Sequence, residues 1–217
     1  MRGHLPHLLV QGVWDDETLA VTGEQQHHLE KVLRLMPGEA LSYTDGVGTV
    51  GTGVYTSGRI VRGHEATVPR ANNLTLAVAP PTSRDRCRFL VEKLSELGVA
   101  HLVWLSTRHG EGRVPGAGKA ESWAAAALEQ SRGGWLIQIS TGLVGWEELE
   151  RPLVVAVPGG GEEVLEVRTV GIGPEGGLDP DEIPEDAASI DLGPTILRVE
   201  TAAVVAASRF RRSWSGT

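Results

Sequence analysis

The sequence has a single cysteine, Cys87, in 217 residues. No disulfide framework can staple such a chain, and a reducing compartment suits it. It also lacks any run near the roughly 20 uninterrupted apolar residues that a membrane-spanning helix needs. The opening MRGHLPHLLVQGVWDD has too short an apolar run, with acids too close behind it, to read as a secretory signal. Neither a GxGxxG fingerprint nor a P-loop is present, because no glycine loop is followed by the Lys-Ser/Thr pair that holds phosphate and metal. That weighs against a nucleoside triphosphatase or a dinucleotide dehydrogenase. Basic residues are scarce too, 20 Lys and Arg against 28 Asp and Glu, so the net charge is −8. A protein that grips nucleic acid with its whole surface would carry the opposite sign. There is no internal repeat and no low-complexity segment. The expectation is a cytoplasmic protein with no membrane partner.

What is present is an ordinary globular composition, 41% hydrophobic and 22% charged, long enough for one large domain or two modest ones. The charge is unevenly spread. Residues 147–191 hold thirteen acids and two bases, whereas residues 84–132 hold eight bases and six acids. The basic stretch, with Arg84, Arg86, Arg88 and Arg132, and the tail residue Arg211 are candidates for RNA contact. Equally, such charges can be a solvated face. Cys87 reads as packing, since no neighbouring His supplies a base. His27 and His28 lack the partners that zinc spacing requires.

Two rhythms meet near residues 68–73. Before them come short alternating runs such as LSYTDGVGTVGTGVY, turn-punctuated β structure with one helix predicted at 24–35. After PRANN the pattern becomes strand, helix, strand: strands at 74–79, 102–105, 153–157, 169–172 and 189–192, and helices at 85–97, 120–131 and 200–212. Such alternation predicts an α/β fold with a parallel sheet covered on both faces. The domains are expected at 1–70 and 71–217.

Two glycine loops follow strands in the last third. In VGIGPEGGLDPDEI, the turn Gly173-Pro174-Glu175-Gly176-Gly177 lacks side chains at three points, so a ligand can touch the main chain directly. Asp179 then reads as a helix cap with Pro180 at the first helical position. In DLGPTILRVETAAVVAAS, Leu192-Gly193-Pro194 turns the chain into an alanine-rich helix, with Arg198 and Glu200 at its entrance. Each loop alone is equally well a plain turn, and Arg198 with Glu200 is equally well a capping ion pair. Together they fall at the carboxyl ends of strands, where open parallel sheets bind ligands.

This pair of loops resembles the signature of the 16S rRNA (uracil-N3)-methyltransferase family of the SPOUT superfamily. HHLEKVLRLMPGEALSYTDGVG, LVEKLSELGV and ALEQSRG resemble three further stretches of that family in the same order. The resemblance implies a small PUA-like β-barrel that binds RNA, followed by a knotted SPOUT methyltransferase domain working as a homodimer on small-subunit ribosomal RNA. It implies S-adenosyl-L-methionine as cofactor and no metal. The cofactor residues carried over are Val157, Pro158, Gly173, Pro174, Glu175, Gly176, Gly177, Leu192, Gly193, Ile196 and Leu197. Arg198 is the expected stabiliser of charge on the uracil, and Glu200 its orienter or a proton acceptor. The chain departs from the family pattern at Thr195, where arginine is common, at Pro6–Val10, where PRFFV-like segments are usual, and at Gly133-Gly134, where proline is usual. A non-catalytic RNA-binding or ribosome-assembly protein, or a SPOUT enzyme with another RNA target, is the alternative.

Overall fold

A computed structural model describes residues 5–14, 16–161 and 166–210. Contacts divide the chain into two units, residues 1–70 with 128–136, and residues 71–127 with 137–217.

The first unit is a curled five-stranded sheet. Its strands are β1 (His7–Leu9), β2 (Thr18–Ala20), β3 (Ala40–Thr44), β4 (Thr49–Thr56) and β5 (Arg59–Thr67), in the order β1-β3-β4-β5-β2. Only β1 and β3 run parallel. The period-2 alternation turns Leu41, Tyr43, Tyr55 and Ile60 inward to a core with Leu8, Val10, Leu19 and Leu29. The alternating runs predict this turn-punctuated β structure, and its barrel-like curl is what the family resemblance implies.

The expected helix at 24–35 is present in altered form. Its first part, α1 (Gly23–His27), buries none of its residues, so it depends on its cap. Thr22 and Gln25 form a reciprocal capping box, and such an N-cap contributes roughly 1 kcal/mol. Past His28 the helix widens, with the Leu33 amide donating to the His28 carbonyl five residues back and Leu29 turned into the core. Tyr55 donates its hydroxyl to Glu30 at 2.6 Å, which ties this widened turn to β4.

In the second unit β6 (Thr75–Val78), β7 (His101–Leu105), β8 (Gln138–Val144), β9 (Leu153–Gly161), β10 (Thr169–Ile172) and β11 (Ala188–Ile190) form one sheet in the order β11-β9-β10-β6-β7-β8. Every pairing is parallel. Ala77, Leu105, Leu153 and Val155 face a core with Trp146 and Leu149. The alternate residues Leu76, Val78, Trp104, Val154 and Val170 are buried as well. A parallel sheet buried on both faces explains why these strands read as unbroken apolar runs. The helices are α2 (Arg84–Glu96), α3 (Ala117–Ser131) and α4 (Val199–Phe210). Helices α2 and α4 pack on each other, and α4 lies on β6 and β10. Ala203, Ala206 and Ala207 of α4 are fully buried within the chain itself, so the small-residue stripe serves close packing here. Among the described residues no helix is long and apolar enough to cross a membrane.

The strand β8 was not foreseen. Its segment QISTGLV is an edge strand with mostly exposed side chains, so it carries little hydrophobic signal.

Candidate active site

Because all six strands of the second unit are parallel, their following loops gather at one edge of the sheet. The chain leaves β6 on one side to make β7 and β8, then returns on the other side with β9, β10 and β11. The winding direction therefore reverses between β6 and β10. That is where a crevice opens outside the carboxyl ends of an open sheet.

Three loops bear the candidate cofactor residues at this edge. The first is the end of β9, which runs five residues beyond its last pairing with β10 at Ala156. The strand expected at 153–157 thus continues to Gly161, so Pro158 lies within it as Val157 does. The second is the turn after β10. Its Gly177 amide donates to the Pro174 carbonyl at 3.0 Å, and Gly177 has φ +82°, a conformation that costs an L side chain strain. A Cβ placed on Gly176 would stand 3.1 Å from the Cβ of His109, a tight contact relieved only if His109 or the turn shifted by a few tenths of an ångström. The third is loop 191–198, in which Ile196 is 90% exposed and Leu197 half-buried.

Asp191, which sequence reasoning passed over, joins two of these loops. One carboxylate oxygen accepts from the Gly193 amide at 2.9 Å, the other from the Gly159 amide at 2.8 Å. Its own amide donates to the Gly161 carbonyl, and its carbonyl accepts from Arg209 of α4. The signal was available: Asp two residues before Gly is the spacing of an Asx turn. The Gly193 and Gly159 amides hold the carboxyl below the usual carboxylate range. A depressed folded pKa stabilises above the unfolded value near 4 and loses its effect as pH falls through the folded value. Acid unfolding of the wild type and Asp191→Asn should therefore diverge above about pH 4 and converge below it. Curves that coincide throughout would deny Asp191 this tying role.

A second tie comes from α2. Arg86 reaches Glu175 of the β10 turn at 3.2 Å and Glu200 of α4 at 3.7 Å. Glu200 is buried, and its other carboxylate oxygen has no hydrogen-bond partner among the described residues. Glu200 thus meets Arg86, whereas the sequence suggested Arg198. The Arg198 carbonyl accepts the Ala202 amide and starts α4. Its side chain is exposed and has no ion-pair partner among the described residues.

A third tie closes the β7 loop over the β10 loop. Arg108 pairs with Asp181 at 2.9 Å and Asp179 at 3.3 Å, its amide donates to Glu182, and His109 meets Asp179 at 3.1 Å. Hydrogen bonds from His109 first, then Arg108, lower the Asp179 pKa. Asp179 was expected to cap a helix. It precedes a single 3-10 turn, Pro180–Glu182, and makes no side-chain cap, because its carboxylate is engaged by Arg108 and His109.

The other basic candidates are scattered. Arg84 lies over the Trp123 ring, Arg88 pairs with Glu92 within α2, and Arg132, in the first unit, donates to the Leu5 carbonyl. Arg211 lies outside the described residues.

A family model for an RNA methyltransferase domain matches residues 69–211. The ribosomal RNA small subunit methyltransferase E of Mycobacterium bovis is 30% identical, the alignment covering 86% of this chain and 83% of the relative. A Neisseria gonorrhoeae ribosomal RNA small subunit methyltransferase E, solved with S-adenosyl methionine, superposes with TM-score 0.82 at 24% identity, over 97% of this chain and 98% of that one. A methyltransferase from Legionella pneumophila with bound cofactor SAM gives TM-score 0.82 at 23% identity, over 96% and 97%. The chain belongs to the RNA methyltransferase family: an α/β enzyme with a parallel sheet preceded by a barrel-like unit.

Proposed function

We propose that this enzyme transfers a methyl group from S-adenosyl-L-methionine to N3 of a uridine in small-subunit ribosomal RNA, as a cytoplasmic homodimer. The observation that carries this reading is the set of three glycine-bearing loops, tied together by Asp191 and Arg86, at the point where the sheet reverses direction. The kinship to small-subunit methyltransferases supports the substrate class.

The residues present suit the cofactor. Its cationic ammonium and sulfonium need negative charge, and Glu175 with Glu200 outnumber Arg86 by one. The unpartnered Glu200 oxygen is a buried acceptor awaiting a donor, and such an orphan is costly if nothing fills it. Main-chain groups of the 173–177 and 191–198 loops, with Val157, Pro158, Ile196 and Leu197, would hold the adenosine and methionine portions. When bound, the cofactor supplies an electrophilic methyl group.

The chain's own task is to place N3 in line and to support its loss of a proton. An exposed, permanently charged Arg198 is available to the developing charge on the uracil oxygens. Glu200 acts by positioning, through Arg86, because an ordinary carboxylate is a weak base for the uracil proton.

Calorimetric titration with S-adenosyl-L-methionine, followed by mapping of N3-methyluridine in small-subunit RNA treated with the enzyme, tests the reading. Absence of transfer by an enzyme that binds cofactor would favour a binding protein that kept the fold. Gly176→Val should weaken cofactor binding by about 10-fold or more, about 1.4 kcal/mol, because the turn or His109 has to shift. Unchanged affinity would place the cofactor elsewhere. Light scattering at micromolar concentration should return twice the 23.1 kDa chain mass, and a monomer would refute the dimer.

A further inference from the structure

A cavity of about 400 Å3 lies in the second unit between the starts of α2 and α3. That volume is in the range of small-ligand sites. Its lining shares no residue with the three glycine loops. Trp123, Cys87, Pro81 and Val114 make it apolar within, while Arg84, Arg113 and Lys119 bring three cations against one acid, Glu111. On a chain of net charge −8 this is a local reversal of sign.

Two further features point to an anion. Both helix starts contribute to the lining, through Thr82 and Arg84 for α2 and Gly116 and Lys119 for α3, and helix N-termini favour negative charge. None of the three cations has a carboxylate partner among the described residues. Arg84 is held instead by the face of Trp123, 5.9 Å from the ring centroid. Cations left unneutralised around a cavity of this size are arranged for an incoming ligand.

Resting on the reading of an RNA substrate above, we propose that this cavity seats a nucleotide of the substrate strand other than the one methylated. Its phosphate lies on Arg84, Arg113 and Lys119, and its less polar part enters toward Trp123. The loops after β6 and β7 thus hold the strand, while the loops after β9, β10 and β11 hold the cofactor.

The test compares the full-length wild type with the Arg113→Ala, Lys119→Ala double variant. Both side chains are exposed, and circular dichroism should confirm an intact fold. Binding of a short fluorescent single-stranded RNA should weaken about 10-fold or more. The slope of log affinity against log salt should flatten by about one unit. In methylation assays KM for RNA should rise with kcat retained, and calorimetric affinity for S-adenosyl-L-methionine should stay unchanged. Equal RNA affinity and salt slope in the two proteins would overturn the proposal. So would a fall in kcat at constant KM, which would mean that the cavity holds the reacting base. Inorganic phosphate should compete only weakly; tight phosphate binding lost in the variant, with RNA binding untouched, would make this a free-anion site. The RNA-binding arm needs no methyl transfer, so an inactive wild type would sink the functional reading while the cavity is still judged.

Discussion

Arg198→Ala is expected to lower the single-turnover rate of methylation roughly 10²–10³-fold while cofactor affinity stays the same. The magnitude is that of losing one preorganised donor to a charge that develops in the transition state. The backbone of Arg198 is committed to the first hydrogen bond of α4, and alanine keeps that bond, so the helix start should survive. The side chain is exposed and unpaired among the described residues, so its loss should not disturb packing. Arg198→Lys should restore activity only in part, because an ammonium lacks the planar pair of donors. Wild-type turnover in the alanine variant would make Arg198 a plain helix-start residue and move the chemistry elsewhere.

Arg86→Ala should behave in the opposite way, damaging the fold more than RNA contact. Removing one member of a fully buried pair typically costs 3–5 kcal/mol because a charge is left behind. Arg86 is about a third exposed and stands 3.7 Å from Glu200, so a loss of about 2 kcal/mol is the appropriate expectation after screening. The midpoint of denaturant unfolding should fall accordingly, with the slope unchanged. The salt dependence of RNA binding should not change, since this guanidinium already has two carboxylates. A stable variant with a flattened salt slope would return Arg86 to the phosphate-binding face on which the sequence suggested it.

The difference between Arg86 and Arg198 shows what a linear reading can reach. The glycine turns were legible because a positive φ or an absent side chain is a local demand, written at the position itself. The strands of the parallel sheet were legible because burial on both faces leaves apolar runs such as residues 153–157. Side-chain partnerships were not. Arg86, Glu175 and Glu200 stand far apart in sequence and meet only because α2 and α4 pack on one another. Pairing Glu200 with Arg198 was the natural choice for residues two apart, yet a helix start points neighbours in different directions. Asp179 failed as a cap for the same reason: its competing partners, Arg108 and His109, arrive from another loop. Edge strand β8 was missed because it buries little.

One further consequence follows from the division of the chain. Residues 128–136 belong with the first unit. Glu129 accepts the Leu9 amide, the Gly48 amide donates to the Gly134 carbonyl, Trp135 donates to the Val68 carbonyl, and the Leu136 amide donates to the Gly46 carbonyl. A ribosome delivers the chain from its N-terminus, so the first seventy residues emerge without these partners. The sheet waits for its last piece until β6, α2, β7 and most of α3 have already been synthesised. Nascent-chain folding should therefore reach completion for the earlier unit only while the later one is half made. A fragment cut at residue 70 would keep its strands yet leave those donors and acceptors open to water.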